Sequence, residues 1–116
     1  MHATTQPPIW SEDVVTLAVE VLRVLADPTR LQIAGLLLDD ESSVSDLAAR
    51  VERPIPGVSQ HLAKMRMARI VTSRRQGNLV LYRVNNDHVR QLIVDTIGHV
   101  EHLLDAVPAH HLTDQP

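Results

Sequence analysis

Apolar residues change their spacing along the chain. In five segments they recur every three or four positions, as on the buried face of an amphipathic helix: 14–25, 31–38, 44–51, 57–68 and 89–104. Between the last two segments, residues 70–84 alternate apolar and polar positions, as strands do. The pattern therefore predicts four helices, a β-hairpin and a final helix.

Residues that cap helices stand where these segments begin. Ser11 precedes the first segment, and Asp27, followed by proline, precedes the second. Ser43 has an acidic residue three positions later, as in a capping box, and Asn85 or Asn86 precedes the final segment. These residues predict where four of the five helices start.

Two short helices joined by a tight turn and followed by a hairpin are typical of a winged helix-turn-helix. Its second helix, Gly57 to Ala68, is the predicted reading helix, and residues 75–78 form the predicted hairpin turn of about four residues. We predict DNA contacts from the outward polar side chains of this helix and from the tip of the hairpin: Ser59, Gln60, His61, Lys64, Arg74 and Arg75.

Charge is divided unevenly along the chain. The formal net charge is −3, yet all 14 acidic residues lie outside the stretch from Arg53 to Arg83, which holds seven basic ones. A local basic surface is what contacts to phosphate require. The stretch therefore favours double-stranded DNA as a partner.

Composition limits the other classes of function. The 116 residues suffice for one domain, predicted over 11–105, with a flexible arm over 1–10 and a histidine-containing tail over 106–116. The absence of cysteine excludes thiolate catalysis and disulfides. No membrane-spanning segment and no signal peptide are expected, so a cytoplasmic protein without a membrane partner is the simplest interpretation.

Five of the seven histidines lie between His88 and His111. Imidazole is a good ligand for borderline transition metals. On one helix, His88 and His99 are roughly 16 Å apart at about 1.5 Å per residue, too far for one ion with bonds of about 2 Å. A second helix running the opposite way would bring His88 of one chain beside His99 and His102 of the other. The spacing thus suggests both a metal and a homodimer.

Several segments together resemble the ArsR/SmtB family of metal-responsive repressors: VLADPTRLQIAGLL, SVSDLAARV, VSQHLAKMRMARIV, SRRQGNLVLYRV and HVRQLIVDTIGHVEH. The resemblance covers roughly residues 14–111. It implies a mainly α winged helix-turn-helix in the order ααααββα, and a homodimer through the first and last helices. It also implies operator binding without metal and release from DNA by metal.

Within this family the chain resembles the actinobacterial nickel- and cobalt-sensing branch of the KmtR type. That branch implies five ligands for Ni(II) or Co(II), and all five are present: His88, Glu101, His102, His110 and His111. The expected function is control of metal efflux or homeostasis genes.

The chain departs from the family pattern at two places. Ser43 and Ser45 stand where the family often carries cysteines, so a thiolate site there is excluded. Asn86 stands where zinc sensors of the family carry a carboxylate, which weakens a zinc site with His88, His99 and His102.

Three alternatives remain open. The chain could be a zinc sensor of the same family, so Zn(II) stays a candidate effector, or a metal-independent winged-helix regulator. An enzyme is not expected, because the histidines lie on one amphipathic helix and a tail, and no cleft-forming second lobe is evident. No small organic substrate is expected either.

Overall fold

The computed structural model of the protein describes residues 9–106. It contains five helices and three strands, which follow one another along the chain as α1 (Glu12–Leu25), α2 (Pro28–Leu36), β1 (Ser42–Ser43), α3 (Val44–Val51), α4 (Ile55–Met67), β2 (Val71–Gln76), β3 (Leu79–Val84) and α5 (Asp87–Asp105). The predicted winged helix-turn-helix is confirmed, with α3 and α4 as its two helices and β2–β3 as its wing.

Helix starts follow the predicted caps. The side chains of Ser11, Asp27 and Ser43 each accept a hydrogen bond from the backbone N–H three residues later, at 3.2, 2.9 and 3.2 Å. Asn86, not Asn85, caps α5, accepting from the N–H of Val89 at 3.0 Å. Each cap satisfies a backbone donor that has no partner within its helix.

The sheet holds one strand that the sequence did not predict. Strands β2 and β3 form the expected hairpin, and β1 pairs antiparallel with the other edge of β3, so that the strand order is β1-β3-β2. Ser42 lies opposite Tyr82 and Ser43 opposite Leu81. Two serines carry no alternating pattern, so only their pairing with a distant strand makes them a strand.

Two predicted boundaries were wrong. Helix α4 begins at Ile55, two residues before Gly57, because Pro56 lies within its first turn, where proline costs the helix no hydrogen bond. The hairpin turn has two residues instead of four, since Gln76 already pairs with Leu79. Gly77 takes a φ of +61°, a conformation open to glycine at the first position of such a turn.

Aliphatic side chains and one methionine form the core, in which helices α2, α3 and α4 pack against one another. The largest fully buried side chains come from these three helices, from the C-cap of α2, from β2 and the residue before it, and from one position of α5: Ile33, Leu37, Leu47, Val58, Leu62, Met65, Ile70, Val71 and Ile93. In residues 9–106 no helix is long and apolar enough to cross a bilayer.

Helices α1 and α5 leave much of their apolar surface uncovered. In α1 only Val24 and Leu25 are buried, and in α5 only Ile93. Large apolar side chains of both helices stay exposed in the single chain: Val14, Val15, Leu17, Val19, Leu22, Val94, Ile97, Val100, Leu103 and Leu104. Exposed apolar surface of this extent marks an interaction site.

Candidate functional site

The rotation of α4 is set by its buried side. Val58, Leu62 and Met65 are wholly buried, which turns Ser59, Gln60, Ala63 and Lys64 outward. Hydroxyl, amide and ammonium groups on one exposed helical face are suited to base edges and phosphates. The structure therefore places three of the predicted contacts, Ser59, Gln60 and Lys64, together on the exposed face of the reading helix.

His61 lies differently from its neighbours on α4. Its side chain is 27% exposed, and its Nδ1 lies 3.1 Å from Nη1 of Arg30 in α2 and 4.0 Å from a carboxylate oxygen of Asp27. Neither partner was predicted from the sequence, because both are more than 30 positions away. His61 was predicted as a DNA contact; the structure engages its Nδ1 with Arg30, and the DNA contact stays a prediction.

The two predicted wing arginines lie within β2, opposite Leu81 and Val80, and not at the tip, which is the turn 77–78. Both are exposed. Arg74 also donates to the side chain of Gln76 at 3.0 Å. Both arginines belong to the strand and not to the turn because the turn is shorter than predicted, and the residues that it does not use extend the strands.

Arg74 is bound by a carboxylate. Its Nε and Nη2 donate to the two carboxylate oxygens of Glu41, at 2.8 and 2.6 Å. These hydrogen bonds lower the pKa of Glu41, and the same contact raises the pKa of the Arg74 guanidinium. Both groups therefore stay charged at neutral pH, and Glu41 competes with any phosphate for Arg74.

Two further arginines line the junction between α4 and β2. Arg66 donates to the hydroxyl of Ser73 at 3.3 Å, and the backbone of Arg69, at a φ of +60°, turns the chain into the wing. The amide of Asn85 donates to the Arg69 carbonyl at 2.7 Å and holds this turn. The only signal for them in the sequence was the acid-free basic stretch.

The predicted metal ligands in α5 are exposed and lie at its two ends. His88 is the second residue of the helix, whereas Glu101 and His102 belong to its last turns. At about 1.5 Å per residue, His88 and His102 are roughly 21 Å apart along the axis. Residues 9–106 of one chain bring together no group of three metal-binding side chains. His110 and His111 lie outside the described residues.

The donor set itself fits a borderline metal. Imidazole nitrogens and one carboxylate suit Ni(II), Co(II) and Zn(II). Asp95 is less suited as a ligand, since the Gln91 amide donates to it at 2.8 Å within the same helix. His99 is exposed on α5 between the two ends.

Comparison with known proteins identifies the family. Residues 27–73 match the bacterial regulatory protein, arsR family. The HTH-type transcriptional regulator KmtR of Mycobacterium tuberculosis is 50% identical over 111 residues, which are 96% of this chain and 85% of that protein. The chain belongs to the ArsR family. As an ArsR-family member it is a DNA-binding transcriptional regulator and not an enzyme, as the sequence predicted.

Two further relatives agree with this assignment. The HTH-type transcriptional repressor SmtB of M. tuberculosis is 36% identical over 75% of this ArsR-family chain and 64% of its own length. The homodimeric winged helix-turn-helix domain of a possible ArsR-family regulator from Mycobacterium bovis superposes with a TM-score of 0.76 at 25% identity, covering 90% of this chain and all of that domain.

Proposed function

We propose that this ArsR-family regulator is a homodimeric, metal-responsive repressor that binds operator DNA without metal and releases it on binding Ni(II) or Co(II). The observation that carries the proposal is the arrangement of α5. Histidine side chains, which can bind a metal, stand near both of its ends, and large apolar side chains between them are exposed. Such a helix is suited to pairing with a copy of itself.

An antiparallel pair of α5 helices satisfies both features at once. If the two helices cross near Asp95, His88 of one protomer lies beside Glu101 and His102 of its partner, since each is about seven residues from the crossing point. The apolar side chains of α1 and α5 supply the surface that the contact would bury. The M. bovis domain is itself homodimeric.

Five ligands are proposed for the metal: His88, Glu101, His102, His110 and His111. Structural and sensory zinc is satisfied by four. The order of intrinsic affinities cannot select nickel or cobalt over zinc, but the number and geometry of the ligands can. The tail over 106–116 would provide the additional ligands for a five- or six-coordinate ion.

The reading surface is proposed to comprise Ser59, Gln60, Lys64 and Arg75, with Arg74 available when it leaves Glu41. In a homodimer, two copies of α4 enter successive major grooves when they lie about 34 Å apart. A metal that prefers a different angle between the α5 helices changes this separation. Metal and operator then oppose each other through one conformational equilibrium, and the coupling is reciprocal. Such a regulator acts at the chromosome, in the cytoplasm.

Titration of the full chain with Co(II), followed by visible absorption, tests the metal site. We expect weak d–d bands, as a five- or six-coordinate site of nitrogen and oxygen ligands gives. The double variant His88→Ala/His102→Ala should lose these bands, and the control variant Asp95→Asn should keep them. Intense bands would indicate a four-coordinate site and favour the zinc alternative through His88, His99 and His102. No spectral change would favour a metal-independent regulator.

Operator release is measured separately. A duplex selected by the wild-type chain from a random-sequence library should lose affinity when Ni(II) or Co(II) is saturating. The double histidine variant should bind this duplex equally well with and without metal. Unchanged affinity of the wild-type chain at saturating metal would overturn the sensing function while leaving DNA binding intact.

A further inference from the structure

Arg30 joins the corner between α1 and α2 to the reading helix. Its Nε donates to the carbonyl of Val24 at the end of α1, at 2.5 Å, and its backbone N–H donates to the Asp27 side chain at 2.9 Å. Its Nη1 lies 3.1 Å from Nδ1 of His61 in α4. All three side chains of this cluster, Asp27, Arg30 and His61, are partly buried.

The chemistry of Arg30 fixes the state of the histidine. A guanidinium has donors only and stays protonated, so Nδ1 of His61 must be the acceptor of this hydrogen bond. A neutral ring that accepts at Nδ1 carries its proton on Nε2. Nδ1 is thereby withdrawn from any contact with DNA.

We infer that Arg30 and His61 are positioning residues that hold the reading helix against the α1–α2 corner. Apolar packing of Val58, Leu62 and Met65 keeps α4 against the core, but such packing is non-directional. The Arg30 guanidinium is itself held by the Val24 carbonyl, so its hydrogen bond to His61 adds a directional restraint to the rotation that this packing gives α4. This inference rests on DNA binding by the family and replaces the direct contact predicted for His61.

Two amide substitutions separate the positioning role from a direct contact. The amide oxygen of an asparagine at position 61 lies near the place of Nδ1 and can accept from Arg30. The amide nitrogen of a glutamine there lies near the place of Nε2 and donates outward, while the acceptor for Arg30 is lost. Each variant therefore keeps one of the two ring functions and serves as the control for the other.

We expect His61→Asn to bind the selected operator duplex within about twofold of wild type, and His61→Gln to bind about tenfold more weakly, as for the loss of one hydrogen bond. The reverse order, which a contact through Nε2 predicts, would overturn the inference. Equal weakening in both variants, or none in either, would also overturn it. Thermal melting confirms that each variant is folded at the temperature of the binding assay.

Arg30→Lys supplies an independent measurement. Lysine keeps the charge but cannot donate to Val24 and to His61 from one planar fork. It should weaken operator binding as His61→Gln does. The double variant Arg30→Lys/His61→Gln should bind the operator no more weakly than either single variant, because both substitutions remove the contact between Arg30 and His61. Additive losses would contradict this.

A spectroscopic readout completes the test. In ¹⁵N-labelled wild type at neutral pH, the imidazole of His61 should show an unprotonated Nδ1 and a protonated Nε2, and this single tautomer should be lost in Arg30→Lys. A protonated Nδ1 in the wild type would exclude the proposed hydrogen bond.

Discussion

Glu41, which directly precedes β1, binds the Arg74 guanidinium of β2 through both carboxylate oxygens, at 2.6 and 2.8 Å. The two residues are 33 positions apart. This pair ties the wing to the segment between α2 and α3. It also places an acid beside a surface that is otherwise basic.

Glu41→Gln should strengthen DNA binding, because the substitution frees Arg74 for a phosphate. Each additional phosphate contact steepens the dependence of log affinity on log salt by about 0.9, so a homodimer with two freed Arg74 side chains should gain about 1.8. The slope is measured by fluorescence anisotropy on one duplex at several salt concentrations. Asp40→Asn removes the same charge from the neighbouring residue and should leave the slope unchanged. Weaker binding by Glu41→Gln would show that the ion pair holds Arg74 in place for DNA.

Asp27→Ala should lower the free energy of unfolding by about 1 kcal/mol at neutral pH, since it removes the cap of α2. The hydrogen bond from the Arg30 backbone N–H lowers the pKa of the Asp27 carboxyl. A carboxyl with a lowered pKa stabilises the fold above its ordinary pKa, and this contribution is lost as the pH falls through the lowered value. The difference between wild type and Asp27→Ala should therefore shrink below about pH 4.

Urea unfolding at pH 7, 5, 4 and 3 measures this difference. Asp27→Asn is the matched control, because asparagine also caps helices but carries no charge. The difference in free energy of unfolding between Asp27→Asn and Asp27→Ala should not change over the same pH range. If the difference in free energy of unfolding between wild type and Asp27→Ala stays constant down to pH 3, the role of the carboxylate is contradicted.

Leu17→Glu should convert the proposed homodimer into a monomer. Leu17 of α1 is 67% exposed in the single chain, and a charge buried at an apolar interface without a partner is strongly unfavourable. Sedimentation velocity measures the oligomeric state. Leu79→Glu, at a residue 56% exposed on the wing, should leave that state unchanged. A dimeric Leu17→Glu would place the interface elsewhere than α1.

Metal affinity should fall as the pH is lowered from about 7.5 to about 5.5, because protons and metal compete for the same imidazole lone pairs. Competition with a chromophoric chelator whose own pH dependence is calibrated measures this affinity. The residual binding of His88→Ala/His102→Ala should depend less on pH. An affinity of the wild type that does not vary over this range would argue against histidine ligands.

The order of helices and wing could be predicted because its signals are local. Ser11, Asp27 and Ser43 cap helices through a backbone N–H only three residues away, and the change from helical to alternating spacing at residue 70 is readable within a short window. The acid-free basic stretch likewise pointed to the wing and reading helix without any knowledge of packing.

Tertiary structure alone decided what the polar side chains of that surface do. His61 meets Arg30 and Arg74 meets Glu41 across 31 and 33 positions, and Ser42–Ser43 become a strand only against β3. Helix caps and hydrophobic periodicity depend on residues that are close along the chain, so they can be predicted from the sequence. Hydrogen bonds between distant segments depend on how helices and sheet pack, and no short window of sequence contains that geometry.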